Sequence, residues 1–391
     1  MAKFPAGSGS STPASTSLQA GIGPLLEPFD GVSRIAVLRG GGLGDLMFAL
    51  PAIEALAAAY PAAEITVLGT PLHAALLSGR AGPVDRVEVL PFAPGVRPGP
   101  DDPGGLAGFF DRMQARRFDL AVQIHGGGRN SNPFLLGLGA AHTVGTRTPD
   151  AMQLERTIPY VYYQHEILRA LETVGLTGAA PVTLEPALRV NPAESAQAAL
   201  HLRSGAPLVT MHPGATDPRR RWPASDFAAV AARAVHAGCR VLVVGDNADK
   251  ALAEEVVDRT RRAGGPGFAA DAVESVAGQL DIGTLAALLQ ASAVMVGNDS
   301  GPRHLAQAVG TATVGIYWFG NVINAGALGR TRHRVHMSWV STCPVCGADV
   351  TQVGWTAQRC EHDDSFVATV APEAVYDDVA QLIADQRPGG L

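Results

Sequence analysis

The strongest constraint on this chain is a rhythm that starts twice. Short apolar runs alternate with helix-like stretches, first from IAVL (35–38) and again from PLVTMHPGA (207–215). In the first half the strands are IAVL, EITVLG (64–69), VDRVEVLP (84–91), FDLAVQIHG (118–126) and HTVGT (142–146). A helix over 46–60, with a kink at Pro51, follows the first strand. RPGPDDPGG (97–105) reads as a loop and 160–175 as a long helix. In the second half, helices over 224–238 and NADKALAEEVVDRTRRAG alternate with strands RVLVVGD and AVMVGN (293–298). Helix GPRHLAQAVG follows, and TVGIYWFG (313–320) is the last expected strand. Alternation of this kind implies α/β architecture, with doubly wound parallel sheets covered by helices.

The halves meet in a proline-interrupted connector at 180–205, where Asn191 is placed to cap a helix in NPAESAQAALHLR. Two Rossmann-like domains are expected, 31–185 and 205–375, facing across a cleft at the carboxyl ends of their strands. Residues 1–30, rich in Ser, Gly, Pro and Ala at their start, read as a disordered arm without an apolar secretion segment.

Composition excludes several classes. A net charge of −6 argues against a nucleic-acid partner. No apolar stretch approaches the roughly 18 residues of a membrane span, and 4 cysteines are too few for a disulfide scaffold, so a cytoplasmic protein is expected. Lys3 and Lys250 are the only lysines, so an anion site must use arginine or backbone amides.

Familiar nucleotide motifs fail. In RGGGLGD (39–45), taking Gly42 and Gly44 as the first two glycines of a dinucleotide fingerprint puts Met47 where the third belongs. No acidic residue follows the second strand. The phosphate-loop pattern, a D-x-D triplet and a G-x-S-x-G elbow are also missing.

Three constellations remain, each at the end of an expected strand. GGGLGD (40–45) ends in Asp45, which could start a helix, act as a base, or do both. MHPGATDPRRRWP (211–223) carries Thr216 and Arg219–Arg221, either an anion clamp or a solvated basic loop. VGNDSGPRHLAQAVG (296–310) has Asp299 and Ser300 before Gly301, Pro302 and His304. It is either an ordinary capped helix or a diphosphate site at a helix N-terminus.

Taken together these stretches resemble glycosyltransferase family 9, the ADP-heptose:lipopolysaccharide heptosyltransferases, over about 34–375. The matching segments are GGLGDLMFALPAIEAL, HPGATDPRRRWPASDF and VGNDSGPRHLAQAVG. The resemblance implies a GT-B fold, with the acceptor held by the N-terminal domain and the nucleotide-sugar by the C-terminal one, and an inverting, metal-independent transfer with Asp45 as general base and no required cofactor. It assigns the diphosphate of the nucleotide-sugar, ADP-heptose, to Thr216, Arg220, Asp299, Ser300, Gly301 and His304. Asp249 stands near the ribose, and Gly41, Gly42 and Gly44 let ligands approach the backbone. It implies a lipid-linked saccharide acceptor and transient contact with the inner membrane. Other family members imply another nucleotide-sugar, or a surface polysaccharide or protein as acceptor. A non-catalytic nucleotide-sugar binder and an epimerase of the same fold are the readings outside transfer. Ala215-Thr216 departs from the family's paired hydroxyl residues, and Arg220 stands where lysine is usual.

Late in the chain, CPVCGADVTQVGWTAQRCEH places Cys343, Cys346, Cys360 and His362 at a spacing that could form a four-ligand metal site, or simply a loop of reduced thiols. In relatives that glycosylate proteins, cysteine-bound iron is associated with this part of the chain.

Overall fold

The computed structural model describes residues 22–203, 205–351 and 359–386. The first half runs β1 (Arg34–Leu38), α1 (Leu43–Ala59), β2 (Glu64–Gly69), α2 (Pro71–Leu77), β3 (Arg86–Val89), α3 (Pro103–Ala115), β4 (Leu120–Gln123), α4 (Ser131–Leu136), β5 (His142–Arg147), β6 (Arg156–Pro159) and α5 (Glu166–Gly175). After α6 (Pro192–Ala199), the second half runs β7 (Leu208–His212), α7 (Ala224–His236), β8 (Arg240–Val243), α8 (Lys250–Ala263), β9 (Val273–Ser275), α9 (Ile282–Gln290), β10 (Val294–Asn298), α10 (Gly301–Ala308), β11 (Ala312–Trp318), α11 (Phe319–Ala325), β12 (His333–Ser338) and α12 (Pro372–Ala384).

Both sheets are six-stranded with parallel pairing, in the orders β3-β2-β1-β4-β5-β6 and β12-β11-β10-β7-β8-β9. The central strands are almost wholly buried, as expected for sheets covered on both faces. In each sheet the chain winds outward from its first strand and then returns to build the other side. The reversal falls between β1 and β4 in one domain and between β7 and β10 in the other, and such crevices hold ligands.

Several expectations need correction. Residues 22–30 are not part of a free arm. Phe29 is buried in the first domain's core, its amide donates to the Tyr60 hydroxyl, and Leu26 bonds Gly175. Residues 1–21 lie outside the described region. The loop at 97–105 ends early, because Asp102 caps α3 and Pro103 suits its first position. The helix expected from 160 begins at Glu166, capped by His165, after the added edge strand β6. TVGIYWFG is not the last strand, since β12 pairs outside it. The second domain also extends past 375, because α12 packs on α7 and the sheet. α1 runs unbroken through Pro51.

The domains share an apolar seam. Leu43, Leu46, Met47 and Leu50 of α1 and Leu76 and Leu77 of α2 pack in one cluster with Ala286 and Leu289 of α9 and Leu305 and Ala306 of α10.

Candidate active site

Asp45 occupies the first turn of α1, and its carboxylate has two fixed donors. The Gly42 amide at the helix cap donates to Oδ2 at 2.8 Å, and Arg39 Nη2 donates to Oδ1 at 2.7 Å. Arg39 is buried; it also donates to the Asp45 and Ile124 carbonyls and reaches Glu166 Oε2 at 3.4 Å. His73 of α2 donates to the Gly42 carbonyl at 3.1 Å. Gly41 adopts φ +88°, and a Cβ there would collide with the Asp45 carboxylate, so this position requires glycine. The Asp45 side chain is still 45% exposed. It opens into a cavity of about 600 Å³ that also borders Arg39, His125, the glycine turn 126–128, Tyr160, Tyr162 and Glu166. Asp45 is therefore both a helix cap and an open carboxylate, held in direction by partners that leave its outer face free.

At the equivalent crevice of the second domain, Ser300 caps α10 by position but makes no side-chain cap bond. His212 instead bridges Ser300 Oγ (2.8 Å) and the Asp249 carboxylate (3.2 Å). With its Nε2 donating to Asp249, Nδ1 is placed to accept the Ser300 hydroxyl. Asp249 is held below the usual carboxylate range chiefly by His212, and a Cβ on Gly214 or Gly245 would strike it. Its carboxylate thus serves the loop after β7.

Asp299 is buried and receives Arg220 Nη1 at 3.0 Å and His304 Nε2 at 2.9 Å. Burial alone would raise its pKa, but the His304 bond and the nearby cations hold it below the usual range. His304 is pushed down to about 4 by burial and by the Arg303 cation. Its neutral ring donates to Asp299 and accepts from Arg303 Nη2, so both nitrogens have protein partners. His304 and Asp299 therefore build and orient the turn, while Arg220, with its side chain 27% exposed, is the cation left partly open beside it. Of the neighbouring arginines, Arg219 is turned away, paired with Asp217 and lying over the Phe366 ring, and Arg221 holds the Ala215 carbonyl. Thr216 is exposed on the same loop.

The two crevices meet through glycines. A Cβ on Gly44 would stand 3.1 Å from His304 Cδ2, and one on Gly301 would stand 2.8 Å from Leu43 Cβ. Phe48 packs edge-on against His304 at 4.5 Å. The close approach at Gly44 is thus to the other domain. Sequence reasoning missed Arg39, His125, Glu166 and His212. The H-G-G-G run after β4 and the histidine of H-P-G were the available signals.

Cys343, Cys346, Cys360 and His362 bring their ligand atoms within 4.8 Å of one another. The Cys343 sulfur receives the amides of Cys346 and Val345, which pull its thiol down to about 7, and the Cys346 sulfur receives that of Ala348. Gly347, at φ +71°, closes the turn. His362 Nδ1 is buried without a partner among the described residues. Amide-solvated sulfurs and an orphaned imidazole nitrogen in one tetrad fit a metal with S₃N ligation.

Two doubly wound parallel sheets, each with a crevice at its strand-order reversal and meeting at the starts of α1 and α10, have the two-domain GT-B architecture. The chain belongs to glycosyltransferase family 9 (heptosyltransferase), whose sequence profile matches residues 107–340. No curated protein matches it. Among solved structures, it is similar to the family 9 glycosyltransferase of Veillonella parvula (18% identity, 90% of this chain, 98% of that one, TM-score 0.72). It is also similar to E. coli ADP-heptose LPS heptosyltransferase II (19%, 90% and 99%, 0.67) and E. coli heptosyltransferase WaaC with ADP (18%, 89% and 99%, 0.62). At these identities the likeness is one of fold. No helix among the described residues is long and apolar enough to cross a membrane.

Proposed function

We propose that the protein transfers heptose, with inversion, from ADP-heptose to a saccharide hydroxyl of a lipopolysaccharide core. The observation that carries this reading is the junction of α1 and α10, where Gly44 touches His304, so that Asp45 and the Asp299–Arg220 pair hang from one contact. The acceptor hydroxyl oxygen attacks the anomeric carbon as the bond to the diphosphate breaks. Its proton goes to Asp45, and ADP departs. Arg220 and the first-turn amides of α10 meet the charge that develops on the leaving diphosphate. No metal is assigned to this step. The donor named in the structures of similar fold, ADP-heptose, supports the choice of nucleotide-sugar.

The test is transfer from ADP-heptose to a lipopolysaccharide core acceptor, with the anomeric configuration of the product read by NMR and ADP, UDP and GDP compared by calorimetry. Transfer with inversion and preference for ADP are expected; preference for UDP removes heptose as the donor. Release of altered free sugar without acceptor would favour an epimerase.

The cysteine tetrad is proposed to hold a structural metal, zinc or iron, that pins the loop after β12. Metal analysis of purified protein should give about one ion per chain, and none in Cys343→Ser/Cys360→Ser.

A further inference from the structure

The cavity beside Asp45 is electrically balanced. Three guanidinium groups line it, those of Arg39, Arg129 and Arg169, with three carboxylates, those of Asp45, Asp150 and Glu166. Each cation is held by a carboxylate of the same set. Arg39 binds Asp45 at 2.7 Å and Glu166 at 3.4 Å, Arg169 binds Glu166, and Arg129 stands 3.6 Å from Asp150. Arg39 and Arg169 are also buried and committed to backbone carbonyls, Ile124 for the first and Val161, Tyr162 and Gln164 for the second. An anionic ligand would have to draw a buried arginine off its carboxylate, which strands a charge in poor solvent. Otherwise it must take Arg129 and face Asp150 at close range.

Besides the open Asp45 carboxylate, this wall carries a neutral polar group. His125 follows β4, beside Gly40, where a Cβ would stand 3.0 Å from its ring. Its Nε2 can only donate to the Gly95 carbonyl, at 3.1 Å, and this fixes the tautomer. Burial and the Arg39 cation hold the ring below the ordinary histidine range. Nδ1 therefore carries a lone pair and has no hydrogen-bond partner among the described residues. That lone pair takes a donating hydroxyl, which neutral and acidic sugars alike carry; the paired charges around it are what disfavour an anionic ring.

We propose that the acceptor taken by this cavity is an uncharged saccharide ring, a hexose or heptose rather than a sugar acid or sugar phosphate, and that one of its hydroxyls donates to His125 Nδ1. This rests on the reading of the cavity as the acceptor site of a transferase. The attacking hydroxyl faces Asp45, and the His125 bond fixes which hydroxyl that is.

Saturation-transfer NMR with three soluble probes tests it: methyl α-mannopyranoside, the methyl glycoside of 3-deoxy-octulosonic acid, and mannose 6-phosphate. The neutral glycoside should bind wild-type protein. It should bind His125→Ala about fivefold or more weakly, and His125→Gln with intermediate strength. The two anions should give no signal with wild type, and the sugar acid should begin to bind in the surface variant Asp150→Asn, where Arg129 loses its partner. Equal or tighter binding of either anion to wild type overturns the proposal. So does unchanged neutral binding in His125→Ala, or no neutral binding at all. ADP titration of the same samples reports on the donor half. Loss of ADP binding in wild type would sink the transferase reading itself, whereas intact ADP binding with anion preference sinks only the neutral acceptor.

Discussion

At Asp45 a structural duty coincides with an open carboxylate. A carboxylate that caps a helix is normally spent, yet here the cap and the arginine leave one face open to the cavity. Asp45→Asn keeps the size and the cap acceptor but removes the base, so transfer should fall by roughly 10²–10⁴-fold with ADP affinity nearly unchanged. Equal turnover in that variant would end the assignment. His304 and His333, both pushed down to about 4 chiefly by burial, make a prediction about acid. The unfolded chain takes up protons at both as pH falls below about 6.5, and the folded chain does so only near 4. Stability should therefore be fully present above about 6.5 and drop across the window between, by on the order of 2–3 kcal/mol per histidine. Thermal midpoints from pH 7 to 4 measure it. A slope unchanged in His304→Gln would contradict the assignment for that residue.

At the scale of elements, the starts of α1 and α10 decide most. Helical glycines usually gain from replacement by alanine. Gly44 and Gly301 stand in first turns, where that gain is small, and each Cβ would meet the opposing domain. Gly44→Ala and Gly301→Ala should each cost about 1–3 kcal/mol through overpacking, with Gly301→Ala the worse because its neighbour is Leu43 Cβ rather than a ring edge. Chemical denaturation checks the order. The strand–turn–helix motifs were legible because each is local: Asp299, Ser300 and Gly301 follow one strand and open one helix. What the motif could not show is that Ser300 turns to His212 and Asp299 to Arg220, since those partners lie far off in sequence. The strands β6 and β12 were missed for a different reason. They are sheet edges, only partly apolar, and RTIP and HRVHMS carry little period-two signal.

At the scale of the molecule, the two-domain plan was readable from the repeated rhythm, because sheets buried on both faces need apolar strands and covering helices. The cavity beside Asp45 was not. Arg39, His125, Asp150 and Glu166 come from four separate loops and helix starts, joined only when β1 and β4 pair side by side. The cysteine tetrad, by contrast, was legible as C-x-x-C followed by C-x-H, and its ligand atoms do meet; the test of the proposed metal belongs to this scale. Chelation should loosen the 341–351 loop, read as faster hydrogen exchange at Cys343 and Gly347, whose amides bond within it. Exchange untouched by chelation would speak against a structural ion.

The apolar seam between α1, α2, α9 and α10 has a mechanical consequence. It lies directly behind the place where Gly44 meets His304, so any rocking of one domain on the other turns about that point as a lever turns on its fulcrum. Displacement near a fulcrum is small and grows with the arm. Leu43, Gly44, Gly301 and His304, which stand at that contact, would therefore move least, and residues farther from it would sweep the wider arc.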